Sequence, residues 1–208
     1  IKELLRAMQI TIVEKEGYEA DDLLGTIAKK TAAKGLDVSV ISGDRDLLQL
    51  AEEHIKIRIP KTKKGVTEVE DYLPADVETL YGVTPLEFID MKALMGDTSD
   101  NIPGVAGIGP KGAGDLIQKY HTVEYIYGHL DELEIKDGVR KKLTASKENA
   151  ILSRMLGEIN CNAPVDTSVE NYVVDMKDAD ECAGFMAKLE LFSLIGKYGI
   201  KADKNTKP

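Results

Sequence analysis

The sequence predicts an α/β fold, with a parallel-sheet core in its first third and a helical half after it. Two observations carry this. Short β-branched runs alternate with amphipathic helix patterns up to about residue 73, and from Pro74 onward helical patterns are punctuated by Gly and Pro. A third sets the scale: 43% of the 208 residues are apolar, enough for a core of one domain or two closely packed lobes. The expected division is 1–73 as a partial α/β core, 74–200 as a helical region, and 201–208 as a polar linker or tail.

In chain order, Ile1, Leu4, Leu5 and Met8 follow the spacing of a buried helix face, and no initiator Met precedes them, so the chain is expected to be cut at its start. Ile10-Thr-Ile-Val13 reads as a strand. Glu19 to Ala33 reads as a helix closed by Gly35, and Val38-Ser-Val-Ile41 as a second strand, together a parallel βαβ unit. A short helix over 46–51 follows, then β-runs at 55–59 and 66–69 around a basic turn at 60–65. Helices are expected at 74–81, 85–95, 110–120, 122–130, 136–157, 178–188 and 190–197. No apolar run approaches the roughly 18 residues of a membrane span. Cys161 and Cys182 lack CxxC spacing, so neither zinc nor a disulfide framework is indicated and a reduced, cytoplasmic setting is expected.

The net charge of -9 argues against a nucleic-acid partner unless many of the acids hold cations. Three acidic clusters fall at element junctions: Glu19, Asp21 and Asp22 at a helix start, Asp44 and Asp46 past the second strand, and Asp97 and Asp100 past a helix end. Each alone has an ordinary use at a helix dipole, cap or Asx turn. Three together at loop ends suggest convergence, and the second lies where open parallel sheets bind ligands. Setting these seven charges aside leaves a balance of -2. Oxygen-only ligand sets select Mg²⁺ or Mn²⁺, and two such ions suit in-line phosphoryl displacement without a protein base. That agrees with His54, His121 and His129 lying outside every cluster.

The stretch from Asn101 to Ile117 holds a second signal. Gly107-Ile-Gly109 makes a tight turn into a helix opened by Pro110, with amides and a positive helix end available to an anion and Lys111 beside them. It is not a Walker loop, because GxxxxGK(S/T) is absent, and a plain helix–helix corner is the ordinary alternative. Lys61, Lys63 and Lys64 on the basic turn, and Arg140, Lys141, Lys142 and Lys147 on a later helix, are further candidate phosphate contacts, though exposed charge runs are usually solvated.

The runs GYEADDLLGTIA (17–28), SGDRDLLQL (42–50) and MGDTSDNIPGVAGIGPKGA (95–113) resemble the 5′-nuclease superfamily, most closely its 5′→3′ exonuclease/flap endonuclease domains at the N-terminus of bacterial DNA polymerases I. The resemblance implies a PIN-like core binding two divalent ions and a helix–three-turn–helix element gripping duplex DNA, often with a monovalent cation such as K⁺. It implies hydrolysis of DNA at flaps and nicks in primer removal and repair, with a polymerase domain following in the same chain. By position it makes Glu19, Asp21, Asp22, Asp44 and Asp46 inner metal ligands, with Asp22, Asp44 and Asp46 catalytic, and Asp97 and Asp100 the second-metal pair. Gly107, Ile108, Gly109 and Lys111 match the hairpin. The family's first strand, with its metal-binding Asp, and the arch after it have no counterpart here, and Gly112 stands where relatives carry Thr. The site is thus expected to be incomplete. Competing readings are a duplex-DNA-binding module that does not cleave, and a phospho-accepting receiver domain.

Overall fold

The computed structural model describes residues 1–174 and 179–198, which fall into two compact units. The larger, Tyr18–Pro164, opens with α2 (Ala20–Ala32), followed by β1 (Val38–Ile41), a 3₁₀ turn (Asp46–Leu50), β2 (Ile55–Lys63) and β3 (Val66–Tyr72). Helices α3 (Pro74–Tyr81), α4 (Pro85–Met95), α5 (Pro110–Tyr120), α6 (Val123–Gly128), α7 (Asp137–Ala145) and α8 (Lys147–Gly157) complete it. The smaller unit joins residues 1–17 to the segment from Val165 onward, and its helices α1 (Lys2–Ala7), α9 (Ala179–Lys188) and α10 (Phe192–Lys197) share a core of Met8, Cys182, Ala183, Met186 and Ile195. The expected tail at 201–208 lies outside the described residues.

The sheet has the order β1-β2-β3, with β1 parallel to β2 and β2 antiparallel to β3. In β2, Ile55, Ile57 and Ile59 are buried while Lys56 and Arg58 stay half-exposed, the period-two alternation of a strand with one covered face. The hairpin is longer than its composition suggests. Its loop is reduced to Lys64 and Gly65, at φ 51° and 78°, so the ladder runs on through residues read as a turn. Pro60 is tolerated because β1 pairs only as far as Arg58, leaving β2 one neighbour there.

Ile10 to Val13 form no strand. Ile10 N–H donates to Leu5 O, extending the end of α1, and Thr11 Oγ1 donates to Asn171 O; no ladder neighbour is present among the described residues. β-branched composition expresses a local preference, whereas a strand requires a partner. The parallel pair is therefore β1/β2, joined through the 3₁₀ turn. The helix expected over 136–157 is two helices, broken at Ser146 (φ −118°, ψ 20°).

α4 is the central helix: Phe88, Ile89, Met91, Ala93 and Leu94 are buried, and so are Asp90 and Lys92. A capping box sets its start, with Thr84 Oγ1 accepting from Glu87 N–H (3.2 Å) and Glu87 Oε2 accepting from Thr84 N–H (2.8 Å). Burial pushes the Glu87 carboxyl up, but the Thr84 amide and the His121 ring hold it below its ordinary value. A depressed pKa stabilises fully above the unfolded value of about 4.3 and is lost as pH falls through the folded one. Glu87→Gln is thus expected to cost about 1 kcal/mol at neutral pH in urea denaturation, with the gap to the native chain closing below about pH 4.

Segment 157–163 is fastened across α2 and the 3₁₀ turn. The buried Gln49 donates to Gly157 O and accepts from Ile159 N–H (both 2.9 Å), Thr26 Oγ1 accepts from Ala163 N–H (2.9 Å), and Asp22 Oδ1 accepts from Asn160 N–H (2.9 Å).

Candidate metal centre and nucleic-acid interface

The first acidic cluster caps α2: Asp22 Oδ2 accepts from Glu19 N–H at 3.3 Å while its other oxygen holds Asn160. The second leaves the C-terminal end of β1, where Asp44 Oδ1 accepts from Asp46 N–H (2.8 Å) and so starts the 3₁₀ turn. The third lies in a loop closed by reciprocal bonds between Asp97 and Ile102, with Asp97 Oδ1 accepting from Ser99 N–H at 2.8 Å. The ordinary capping and turn uses of these acids are therefore present. They do not exclude a site, because each carboxylate has up to four lone-pair positions.

The clusters meet. Glu19, Asp21, Asp22, Asp44, Asp46 and Asp100 line one cleft of about 330 Å³, whose opposite wall is Ile102 and Leu156 to Ile159. Asp97 lines a second cleft of about 580 Å³ that shares Asp44, Asp46 and Asp100. Carboxylate oxygens of Asp46, Asp97 and Asp100 lie within 4.8 Å of one another, a spacing that a single hard cation can bridge.

Lys92, unremarked in the sequence, stands at the centre. Its Nζ is 2.5 Å from Asp46 Oδ1 and also bonds Asp97 Oδ2, and the residue is 9% exposed. An ammonium between two of these carboxylates shows that the group accommodates a cation. Burial works against the charged Lys92, yet Asp46 and Asp97 together raise its pKa. Lys92 and then Ser99 hold the Asp97 carboxyl far below its usual range. Asp46 shares the same lysine and still shifts upward, because it is more buried and faces Asp44 and Asp97. Asp21 also rises, through burial and then the fields of Asp44 and Asp46. The unmet negative charge of the cleft favours protons, and a divalent ion would take their place. One sequence feature marks Lys92: it sits in PLEFIDMKALM among residues that are otherwise largely apolar.

The glycine corner is separate from this cluster. Gly107 (φ 77°) turns the chain, Gly109 is the N-cap of α5, Pro110 opens it, and Lys111 is exposed beside it. Lys142 reaches over from α7, its Nζ donating to Gly107 O at 2.9 Å and its stem covering the face where a Cβ would stand. Ile108 is buried beneath the turn. On the hairpin, Lys61 is paired with Glu70 (2.5 Å), while Lys63 and Lys64 are exposed and carry no ion pair among the described residues.

A small mixed sheet, a helical half with a glycine corner and a carboxylate cleft define an α/β protein with a candidate cation site. Residues 1–82 match the family model of the 5′-3′ exonuclease N-terminal resolvase-like domain, and residues 83–180 that of the 5′-3′ exonuclease C-terminal SAM fold. The chain belongs to the 5′-3′ exonuclease family. It is 41% identical over 208 residues to DNA polymerase I of Bacillus caldotenax and 41% over 199 residues to that of Bacillus subtilis, covering 100% and 96% of this chain but 23% and 22% of those proteins. The chain thus spans less than a quarter of these relatives. Among solved structures, a T5 5′-exonuclease described with bound divalent metal ions (zinc) is 30% identical with a TM-score of 0.62, over 70% of this chain and 52% of that one. The catalytic core of Rad2, 21% identical with a TM-score of 0.63 over 90% of this chain and 62% of that one, shares the fold. No helix among the described residues is long and apolar enough to cross a membrane.

Proposed function

We propose that this chain is the 5′→3′ exonuclease and 5′-flap endonuclease part of a DNA polymerase I, hydrolysing DNA phosphodiesters with two Mg²⁺ or Mn²⁺ ions in primer removal and repair. The observation that carries the reading is the convergence of six of the seven carboxylates on one cleft, with Asp97 joined to them through Asp46, Asp100 and Lys92. The relatives' length supports a polymerase domain in the same chain, and their role in DNA synthesis supports a cytoplasmic location. Residues 1–73 would hold the partial core and residues 74–200 the DNA-gripping half.

Two bound hard cations would supply a hydroxide near neutral pH and a counter-charge for the leaving oxygen. Asp22, Asp44 and Asp46, with Glu19 and Asp21, would hold one side of the pair, and Asp97 with Asp100 the other. Lys92 keeps Asp46 and Asp97 oriented toward one point. Amides of Gly107, Ile108 and Gly109, with Lys111, would grip duplex phosphates, and Lys63 and Lys64, with Lys61 when freed from Glu70, would add a further contact. A K⁺ ion at the corner would compete with Lys142 for the Gly107 carbonyl.

The test is cleavage of a 5′-end-labelled flap DNA with Mg²⁺ and with Mn²⁺, beside the Asp97→Ala/Asp100→Ala double variant and a duplex-binding titration across salt. Metal-dependent product that the double variant loses by about 10³-fold or more is the expected result. Salt-sensitive binding without any product would replace this reading with that of a non-cleaving duplex-binding module.

A further inference from the structure

The second cleft has a wall that the metal site does not use. Besides the shared carboxylates, Gly43, Arg45, Tyr81, Phe88 and Met95 line this cleft. Arg45 lies between Asp44 and Asp46 in sequence yet pairs with neither: Asp44 Oδ1 takes the Asp46 amide, and Asp46 Oδ1 takes Lys92. Its Nη1 instead donates to the phenol oxygen of Tyr81 at 2.6 Å. Glu70 adds a field from nearby but is itself bonded to Lys61 and Tyr72, so Tyr81 is the guanidinium's hydrogen-bond partner and most of its five donors stay open. The Tyr81 ring is half-buried, and Phe88 backs it with ring centroids 4.8 Å apart at 55°, which holds the tyrosine ring as a supported face. A fixed guanidinium fork beside an aromatic face, in a cleft of about 580 Å³, matches the two ends of a nucleotide. A forked cation suits a phosphate, and an aromatic face suits any base.

We propose that the Arg45–Tyr81 wall is a nucleotide subsite, which takes the single nucleotide on the 5′ side of the bond to be cut and retains it as the released 5′-mononucleotide. The assignment rests on the nuclease reading for the role of that nucleotide, while the binding itself can be measured without cleavage. Arg45 would hold the phosphate, Tyr81 the base, and the Tyr81 hydroxyl would fix the guanidinium. Tyr81 is thus both a contact and a positioning residue.

The experiment is equilibrium binding of thymidine 5′-monophosphate, thymidine and inorganic phosphate to the full chain in Mg²⁺. It compares the native protein with Arg45→Met, Arg45→Lys, Tyr81→Leu and Tyr81→Phe, each checked for native circular dichroism. The monophosphate is expected to bind more tightly than either thymidine or phosphate. Arg45→Met should weaken it about tenfold or more, and Arg45→Lys, which keeps the charge and loses the fork, by a smaller factor. Tyr81→Leu should weaken the monophosphate severalfold and phosphate by a smaller factor, since ring and hydroxyl are both lost, whereas Tyr81→Phe, which keeps the ring, should cost the two ligands the same small factor. Equal binding of phosphate and monophosphate, or insensitivity of the monophosphate to Arg45→Met and Arg45→Lys, overturns the subsite even if flap DNA is cleaved. Conversely, the expected pattern in a chain that cleaves nothing would keep the subsite and remove the nuclease role.

Discussion

Lys92→Met is expected to lower folding stability by about 2–4 kcal/mol in metal-free buffer, because it leaves Asp46 and Asp97 facing one another without a counter-charge. All three side chains are at most 20% exposed, so water screens the pair poorly. Millimolar Mg²⁺ should restore much of the loss, since a cation bridging Asp46, Asp97 and Asp100 replaces the missing ammonium. Urea denaturation of both proteins, with Mg²⁺ and with a chelator, reads the effect. A loss of the same size in both buffers would show that Lys92 acts by packing alone and that the three carboxylates do not share an ion.

Gly104→Ala is the second large effect, expected at about 3–5 kcal/mol or outright failure to fold. Gly104 has φ +61°, and a Cβ there would stand 2.4 Å from Gly96 N and 2.6 Å from Gly96 Cα. Gly96 (φ +73°) has its own absent Cβ facing the carbonyl oxygen of Ile102 at 2.8 Å, so the two glycines bring the ends of the Asp97–Asp100 loop into backbone contact. The Gly104 amide, buried, donates to Ser153 Oγ at 3.0 Å and ties the loop to α8. Gly35→Ala is the control: φ is +78° but nothing lies within 4 Å, so only the backbone strain of about 1–2 kcal/mol applies. Equal losses at the two positions in denaturant titrations would refute the close-approach account.

Much of the helical half was legible because its signals are local. Pro74, Pro85 and Pro110 each open a helix at the position where a missing N–H costs nothing, and Gly82 and Gly96 close α3 and α4. The sheet was less so. Whether Ile10–Val13 pair, and how far Ile55–Lys63 continue, depends on neighbours that composition does not name. The acids were visible as clusters, but their meeting in one cleft was not readable from spacing, since Asp22 and Asp100 are brought together only by tertiary packing. Lys92 was missed because lysine is ordinarily a surface residue, and only its apolar helical surroundings could have marked it. Ser146 ends α7 and begins α8 without a Gly or Pro, so the break left no trace in the pattern.

The fastening of segment 157–163 onto α2 has a consequence for synthesis. Asp22 and the Asn160 amide that fixes it are 138 residues apart, and Thr26 and Ala163 are 137 apart. At about 5–20 residues per second on the ribosome, the carboxylates of α2 wait on the order of ten seconds for the backbone that positions them. Local pairs such as the β2–β3 hairpin and the α4 capping box form within that interval, and the acidic cleft gains its far wall only after them. The nascent chain therefore passes through a stage in which all seven carboxylates of the acidic clusters are already made, while Asp22 still lacks the amide that orients it.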